Sequence, residues 1–532
     1  MATHKLAVIL RNPSDDTQFL VARQPRPTLF GDQEYDSYAD SDLWDLPSTA
    51  QLDPLAGDAE PQTVVQGAEL CSEKIILGRV DLNSALRSVL GQVGFGLGDV
   101  GEWKFFRYVE EAEFGPGAAI DDVFIEGKLL DKCPILEESC KWVSIGSCTD
   151  LLVNVKPGSD RVGLLAVIGL VNESLPSANF QVPSTLGHQE YPPGVVVVPM
   201  GSKTAKPFRT TNLVVFAPKN DAGECEDGNF VASGDALIVD PGCRSEFREE
   251  LRKIVAALPR KLIVFVTHHH HDHVDGLSII QKCNADAILL AHEKTMARIK
   301  KDDWSLGYTS VSGAEEICVG GQRLSIIFAP GHTDGHMALL HNSTNSLIVG
   351  DHCLGQGSAI LDINSGGNIA DYYQSTYKFM ELSPHVLIPM HGRVNLWPKH
   401  MLCGYLRNRR SREGTILKAI EGGAESLFDI VSSVYAGVDR SYWYLASWNV
   451  RVHVDHLAQL NKLPKGFSMQ RFKQSCGVRF LMPLVLSYLC HALLSRFHRP
   501  RKSSALVIAG LLAAFASAYM VRSNPTSNRV EG

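Results

Sequence analysis

Thr267-His268-His269-His270-His271-Asp272-His273-Val274-Asp275-Gly276 is the stretch whose reading decides the fold. It directly follows the β-branched run Lys261–Val266 and precedes a helix-like segment. A histidine tract without a task would be exposed and free of order. This one begins where a buried strand ends, carries Asp between its imidazoles and closes on a Gly turn. His268 and His270, two apart on an extended loop, point to the same side and suit one metal. Asp272 and His273 turn the other way and suit a second. Imidazole and carboxylate together favour zinc, with iron or manganese as alternatives.

Further metal-capable side chains recur downstream, each on a tight turn just after an apolar run. Ala329-Pro330-Gly331-His332-Thr333 follows Leu324–Phe328, Val349-Gly350-Asp351-His352 ends the run from Ser346, and Pro389-Met390-His391-Gly392 ends the run from Val386. A rigid scaffold presents a loop-built site in this way. Residues 191–400 as a whole alternate such runs with turn-rich loops.

The pattern His268-x-His270-x-Asp272-His273, then His332, Asp351 and His391, resembles the full metal motif of the metallo-β-lactamase superfamily. Asp240, in Ile238-Val239-Asp240-Pro241-Gly242, fits that family's first motif. The resemblance implies an αββα sandwich over residues 191–400 and two Zn2+ ions. His268, His270 and His332 would hold one, Asp272, His273 and His391 the other, with Asp351 bridging and Asp240 as structural support for the histidine loop. It also implies hydrolysis by a hydroxide formed between the metals near neutral pH, with Asp272 and Asp351 as the catalytic carboxylates that orient it. His269, His271, His336, His341 and His352 have no ligand role in that scheme and at most support the ligands. No flavodoxin-like stretch follows, so the redox branch of the family is set aside.

The rest of the chain sets this core in a larger architecture. With 532 residues, several domains are expected. Composition is ordinary for a globular protein, with 45% hydrophobic and 20% charged residues, which excludes a disordered chain and a polytopic membrane protein. A net charge of −7 argues against nucleic-acid binding by bulk charge, but not against a local basic cleft. The 12 cysteines form no CxxC, so reduced structural thiols are expected. Asp15 and Asp16 interrupt any signal-peptide layout at the start.

Residues 1–175 resemble a Nudix domain, through Leu43-Trp44-Asp45-Leu46-Pro47 and Arg87-Ser88-Val89-Leu90-Gly91-Gln92-Val93-Gly94-Phe95. The family's metal-binding glutamates would fall at Ser88, Gly91 and Gln92, and its upstream acid at Arg79. Without those carboxylates there is no cage for a hard cation, and a non-catalytic domain is expected. Residues 176–190 read as a Pro/Gly/Ser-rich linker.

Residues 401–466 are expected to be helical. They resemble the small winged-helix-like domain of the β-lactamase-like protein 2 subfamily, which cleaves RNA, and PGHTDGHMALL and GDHCLGQGSA share its look. That resemblance implies endoribonuclease-like cleavage of single-stranded RNA, with Arg407, Arg409, Arg410 and Arg412 near the phosphates. The alternatives are a glyoxalase-II-like hydrolase of a small thioester, and a membrane-tethered binding scaffold with a relic site. Residues 478–521 form the least polar region. Within it Ser503–Val521 has no charge, spans about 28 Å as a helix and follows Arg496, Arg499, Arg501 and Lys502. A transmembrane tail anchor with the enzyme facing the cytosol is expected. Phe480–Leu494 reads as either a second span or an interfacial helix.

Overall fold

The structure, a computed structural model, describes residues 3–28, 33–55, 62–130, 136–174, 180–218 and 229–486. The described residues within 1–359 and 365–407 form one compact unit, and those within 360–364 and 408–486 form a second.

In the first unit, two sheets build the part that carries the histidines. One has seven strands in the order Tyr308–Ser310, Ile288–Ala291, Leu262–Phe265, Ala236–Val239, Thr210–Phe216, Val195–Gly201 and Gln189–Glu190. The other has six: Ala232–Gly234, Glu316–Val319, Gln322–Phe328, Met337–His341, Ser346–Gly350 and Val386–Pro389. The β-branched runs become strands buried on both faces, and the two-residue period sorts their side chains. Val195, Val197, Val214, Phe216, Leu237, Val239, Ile263 and Phe265 point into one core with Ile326, Leu339, Ile348 and Ile388 of the second sheet. Their alternates Val196, Val198, Leu213, Val215, Ile238 and Val264 point the other way. That face is covered by Leu251, Ile254 and Val255 of helix Arg248–Ala257 and by Leu277 and Ile280 of helix Leu277–Cys283. A helix-covered pair of sheets is the layered sandwich expected from the histidine motif.

A third sheet of eight strands occupies residues 3–162, with Thr3–Arg11 pairing parallel to Ile120–Leu129 and antiparallel to Gln18–Arg23. The same alternation operates. Leu6, Val8 and Leu10 face Leu82, Leu86, Val89 and Leu90 of helix Leu82–Gly91, whereas Ala7 and Ile9 belong to the cluster that contains the sandwich interior. The N-terminal sheet and the sandwich therefore share one apolar core. Arg79, Ser88, Gly91 and Gln92 are all exposed, and among the described residues every acid- and histidine-rich group with metal-binding distances lies outside this sheet. Phe180, Val182 and Leu186, read as part of a linker, pack on the sandwich, and Gln189–Glu190 adds a strand to it.

The second unit is helical among its described residues: Leu427–Val434, Trp443–Gln459, Met469–Ser475 and residues 478–486 pack around Ile416, Ile430, Val450, Leu457 and Phe472. It contains no strand there, so the hairpin wing of the expected winged-helix domain is missing from those residues. Phe480 and Leu484 are 2% and 1% exposed within this core. That burial ties the start of Phe480–Leu494 to a packed helical unit. No helix among the described residues is long and apolar enough to cross a membrane, and Ser503–Val521 lies outside them. Eight described cysteines carry free thiols, but Cys318 is disulfide-bonded, contrary to the expectation of reduced thiols.

Candidate metal centre

The site lies where five strands of the sandwich end. Leu262–Phe265 delivers Thr267 and the histidine loop, Ala236–Val239 delivers Asp240, and Gln322–Phe328 delivers His332. Ser346–Gly350 delivers Asp351, and Val386–Pro389 delivers His391. All seven expected ligands converge, within two groups whose donor atoms lie within 4.8 Å of one another: His268, His270, His332 with Asp351, and Asp272, His273, His391.

In the first group His268 Nε2 lies 3.0 Å from His270 Nδ1, and His332 Nε2 lies 3.2 Å from the same atom. A tetrahedral zinc with nitrogens at about 2.0–2.1 Å sets them about 3.3 Å apart, so this cradle fits one. In the second group His391 Nε2 lies 3.3 Å from Asp272 Oδ2, and His273 Nε2 lies 3.8 Å from Asp272 Oδ1. Asp351 divides its carboxylate between them. Its Oδ2 is 4.0 Å from His268 Nε2 and 3.9 Å from His332 Nε2. Its Oδ1 is 3.5 Å from His273 Nε2 and 3.4 Å from His391 Nε2. His273 Nε2 and Asp351 Oδ1 are buried with no hydrogen-bond partner. Leaving two such atoms unsatisfied is costly in a folded protein, and a divalent cation would satisfy both. The residues fit a pair of divalent cations.

Electrostatics separates the two groups. Burial, joined by the imidazoles of His273, His270 and His332, holds His268 well below its ordinary pKa, so it is neutral and ready to donate a lone pair. Burial opposes the charged form of His391 too, but Asp351 and Asp272 outweigh it and lift this residue to about 10. His273 is likewise raised, against burial, by Asp351, Asp272 and Asp240. Asp351 is held well below the carboxylate range, again against burial, by His391 and His273.

Supporting contacts fix the donors. Asp240 is fully buried at φ +50°, a left-handed conformation that Asp tolerates better than most residues. Its Oδ1 accepts from the Thr267 backbone N–H at 2.8 Å, and its Oδ2 accepts from Thr267 Oγ1 at 2.6 Å and pairs with His273 Nδ1 at 2.8 Å. Gly242 lets this turn press on the histidine loop, since a Cβ there would sit 1.5 Å from the Asp272 carbonyl oxygen. Thr267 Oγ1 also meets His268 Nδ1 at 3.0 Å, and His391 Nδ1 meets the Thr210 carbonyl at 2.8 Å. Each such contact selects a tautomer and aims the other ring nitrogen inward.

Some contributors were not legible in advance. His336 Nδ1 meets the Ala329 carbonyl, and its Nε2 accepts from the Asp351 backbone N–H at 3.2 Å, so it holds the bridging residue from behind. Gly350, at φ +57°, makes room for it, because a Cβ would lie 2.3 Å from His336 Nε2. The only sequence signal was a second histidine four residues after His332. His352 stacks on Tyr372 at 4.1 Å and bonds Thr376 Oγ1, anchoring helix Ile369–Leu382. His269 bonds Ser365, His271 is exposed, and His341 bonds Thr344 and Gln322. Thr204 Oγ1 lies 3.4 Å from His391 Nε2 and the Phe208 ring 5.6 Å from the His391 ring, so residues 202–209 line the second group.

The arginines expected near phosphates require a correction. Arg409 is 4% exposed and donates to Asn449 Oδ1, so it is a core side chain. Arg412 lies 4.5 Å from the Tyr435 ring centre. Both share the helix face of Ile416 and Ile420, at three- and four-residue spacing, and this face turns inward. Arg407 is half-buried, and Arg410 alone of the four is exposed.

Comparison with known proteins agrees with this geometry. The metallo-beta-lactamase superfamily profile matches residues 230–391, which contain every ligand. A beta-lactamase-like protein 2 homolog of Drosophila melanogaster is 28% identical over 211 residues, 38% of this chain and 69% of that protein. Its counterpart in Caenorhabditis elegans is 28% identical over 206 residues, covering 38% and 67%. A hydroxyacylglutathione hydrolase of Gloeobacter violaceus is 27% identical over 169 residues, covering 32% and 60%. Profile, relatives and the converging ligands agree on a metallo-β-lactamase superfamily domain over residues 230–391, a family whose members are hydrolases.

Proposed function

We propose that the chain is a hydrolase working with two divalent cations, Zn2+ by the chemistry of its donors, and that its substrate is single-stranded RNA. The observation that carries the dinuclear reading is Asp351, whose two oxygens face two different ligand groups. His268, His270 and His332 would hold one cation and Asp272, His273 and His391 the other. When bound, such cations supply Lewis acidity, which makes water a better nucleophile near neutral pH and offsets charge developing on the reacting ester. The chain's own part is orientation. Asp272 and Asp351 present carboxylate oxygens that would accept hydrogen bonds from water and hold its lone pair toward the substrate. Asp240, Thr267 and His336 keep those groups from turning.

Two features support RNA. The matched homologs belong to the subfamily that the motifs resemble. In addition, the loop that lines the second ligand group carries Lys203, Lys206 and Arg209, all exposed, with Lys203 paired to Asp275. The second reading, thioester hydrolysis, is favoured by the similarity to a hydroxyacylglutathione hydrolase. The full chain, loaded with Zn2+, should cleave labelled single-stranded RNA, and Asp351→Asn should not. Turnover of S-D-lactoylglutathione with inert RNA would replace the first reading by the second, and inactivity on both with stoichiometric zinc would refute both.

The Nudix-like sheet is proposed as non-catalytic, and Ser503–Val521 as a membrane segment with the enzyme on the cytosolic, basic side. A fluorescent fusion lacking residues 478–532 that still pellets with membranes would refute the anchor.

A further inference from the structure

Among the described residues the N-terminal sheet and its loops hold no metal-binding cluster, yet they grip residues 385–400, around His391, at three points. Residues 387–395 form a closed loop, with Leu387 and Asn395 exchanging both backbone hydrogen bonds and His391 near its tip. On the sandwich side, Asn212 Nδ2 donates to the carbonyls of Pro389 and Gly392 at 2.7 and 2.8 Å. The opposite side is held by residues between Asp40 and Arg161.

At the base of the loop, Arg161, 3% exposed, donates Nη1 to the carbonyls of His385 and Leu396 and Nη2 to the Ser41 carbonyl at 2.8 Å. One guanidinium thus ties together the two chain ends that enter and leave the loop. Near the tip, two residues from His391, Arg393 forms a two-pronged ion pair with Glu111 and also donates to the Ala118 carbonyl at 2.9 Å. Glu111 is itself preset: its Oε2 accepts from the Ile120 N–H at 2.6 Å, and its own N–H donates to Asp121, which also accepts from Tyr108. Beyond the loop, helix Pro398–Glu421 follows Trp397, whose side chain has no oxygen to accept from the first N–H groups. Asp40, 3% exposed, supplies the cap across the interface, with Oδ1 and Oδ2 each accepting at 3.0 Å from the N–H groups of Lys399 and His400.

The geometry points to Glu111, Arg161 and Asp40 as positioning residues for the second metal triad, making the N-terminal sheet an outer shell of the metal centre rather than a separable docking module. Planar two-pronged Arg–carboxylate pairing fixes direction as well as distance, which a ligand loop needs and a mere adhesive contact does not. The first triad is independent of this clamp, because His268, His270 and His332 stand on the loops that follow the sandwich strands Leu262–Phe265 and Gln322–Phe328. The inference rests on the dinuclear reading above.

Its test is a titration of the metal-free full chain with Co2+, read by the cobalt absorption bands, and with Zn2+ against a chromophoric chelator. Wild type should bind two cations. Glu111→Ala should weaken the second by about tenfold or more, the scale of outer-shell losses at metal sites, and leave the first and its cobalt spectrum unchanged. Glu111→Gln, which keeps the shape and part of the hydrogen bonding, should lie between. Tyr377→Phe removes the interface hydrogen bond from Tyr377 to Glu34, which lies away from the loop, and should change neither affinity. If Glu111→Ala does not fold, Arg393→Met takes its place with the same expectation. A second cation bound as tightly in the folded variants as in wild type would overturn the clamp alone. Fewer than two cations in wild type would overturn the dinuclear reading and the clamp with it.

Discussion

The two ligand triads sit side by side and share Asp351, but they differ in what makes them. The first is three imidazoles, neutral by burial and mutual proximity, on loops of the sandwich itself. The second mixes a carboxylate with two imidazoles that are held charged by Asp272 and Asp351, and it depends on Asp240 and on a loop clamped from outside the sandwich. The contrast teaches that one is a site of donor atoms and the other a site of charge balance.

The largest expected effect removes what the triads share. Asp351→Asn keeps the volume but loses the anionic charge, and hydrolysis should fall to the uncatalysed background with neither cation held tightly. Normal turnover in a folded Asp351→Asn chain would break the picture of a common carboxylate. The next experiment separates the pair. His270→Ala should empty the first triad and leave the second, whereas Asp240→Asn should weaken the second by roughly 10–100-fold through His273. Equal losses at both positions in each variant, read by cobalt spectra, would mean that the triads are not separable. Gly350→Ala should disturb both. A side chain at φ +57° meets His336, and a strain on the order of 1–3 kcal/mol should appear as a lower denaturation midpoint.

The smallest effect concerns acid. Burial lowers His341 to about 4, and burial with Arg161 nearby lowers His385 to about 3. In the unfolded chain both take up a proton near about 6.5. Between these values the unfolded state binds more protons, so the contribution of these two residues to stability declines as pH falls from about 6.5 toward 4 and is level above. His341→Gln should make that decline shallower in thermal melts at fixed metal content. An unchanged slope would show that His341 is not buried neutral.

The ligands could be read from sequence because each stands at the end of an apolar strand. A strand of four or five buried residues followed by a turn leaves a side chain little choice of direction. Asp240 was legible for the same reason. The clamp was not, since Asp40, Glu111 and Arg161 act on residues 224 to 360 positions away, and no local pattern encodes that pairing. Arg409 was misread because a run of basic residues was counted without its helical phase, which sets it on the face of Ile416 and Ile420. The winged-helix expectation failed in a similar way. Helical periodicity identified the helices of the second unit, but the loop after Gln459 carries no strand pattern to make a wing.

Metal analysis of the purified full chain by mass spectrometry, run beside a hydrolysis assay with and without chelator, addresses the central claim most directly. The account predicts two divalent cations per chain and hydrolysis lost on chelation and restored by Zn2+. A single cation per chain, or hydrolysis indifferent to the chelator, would contradict it.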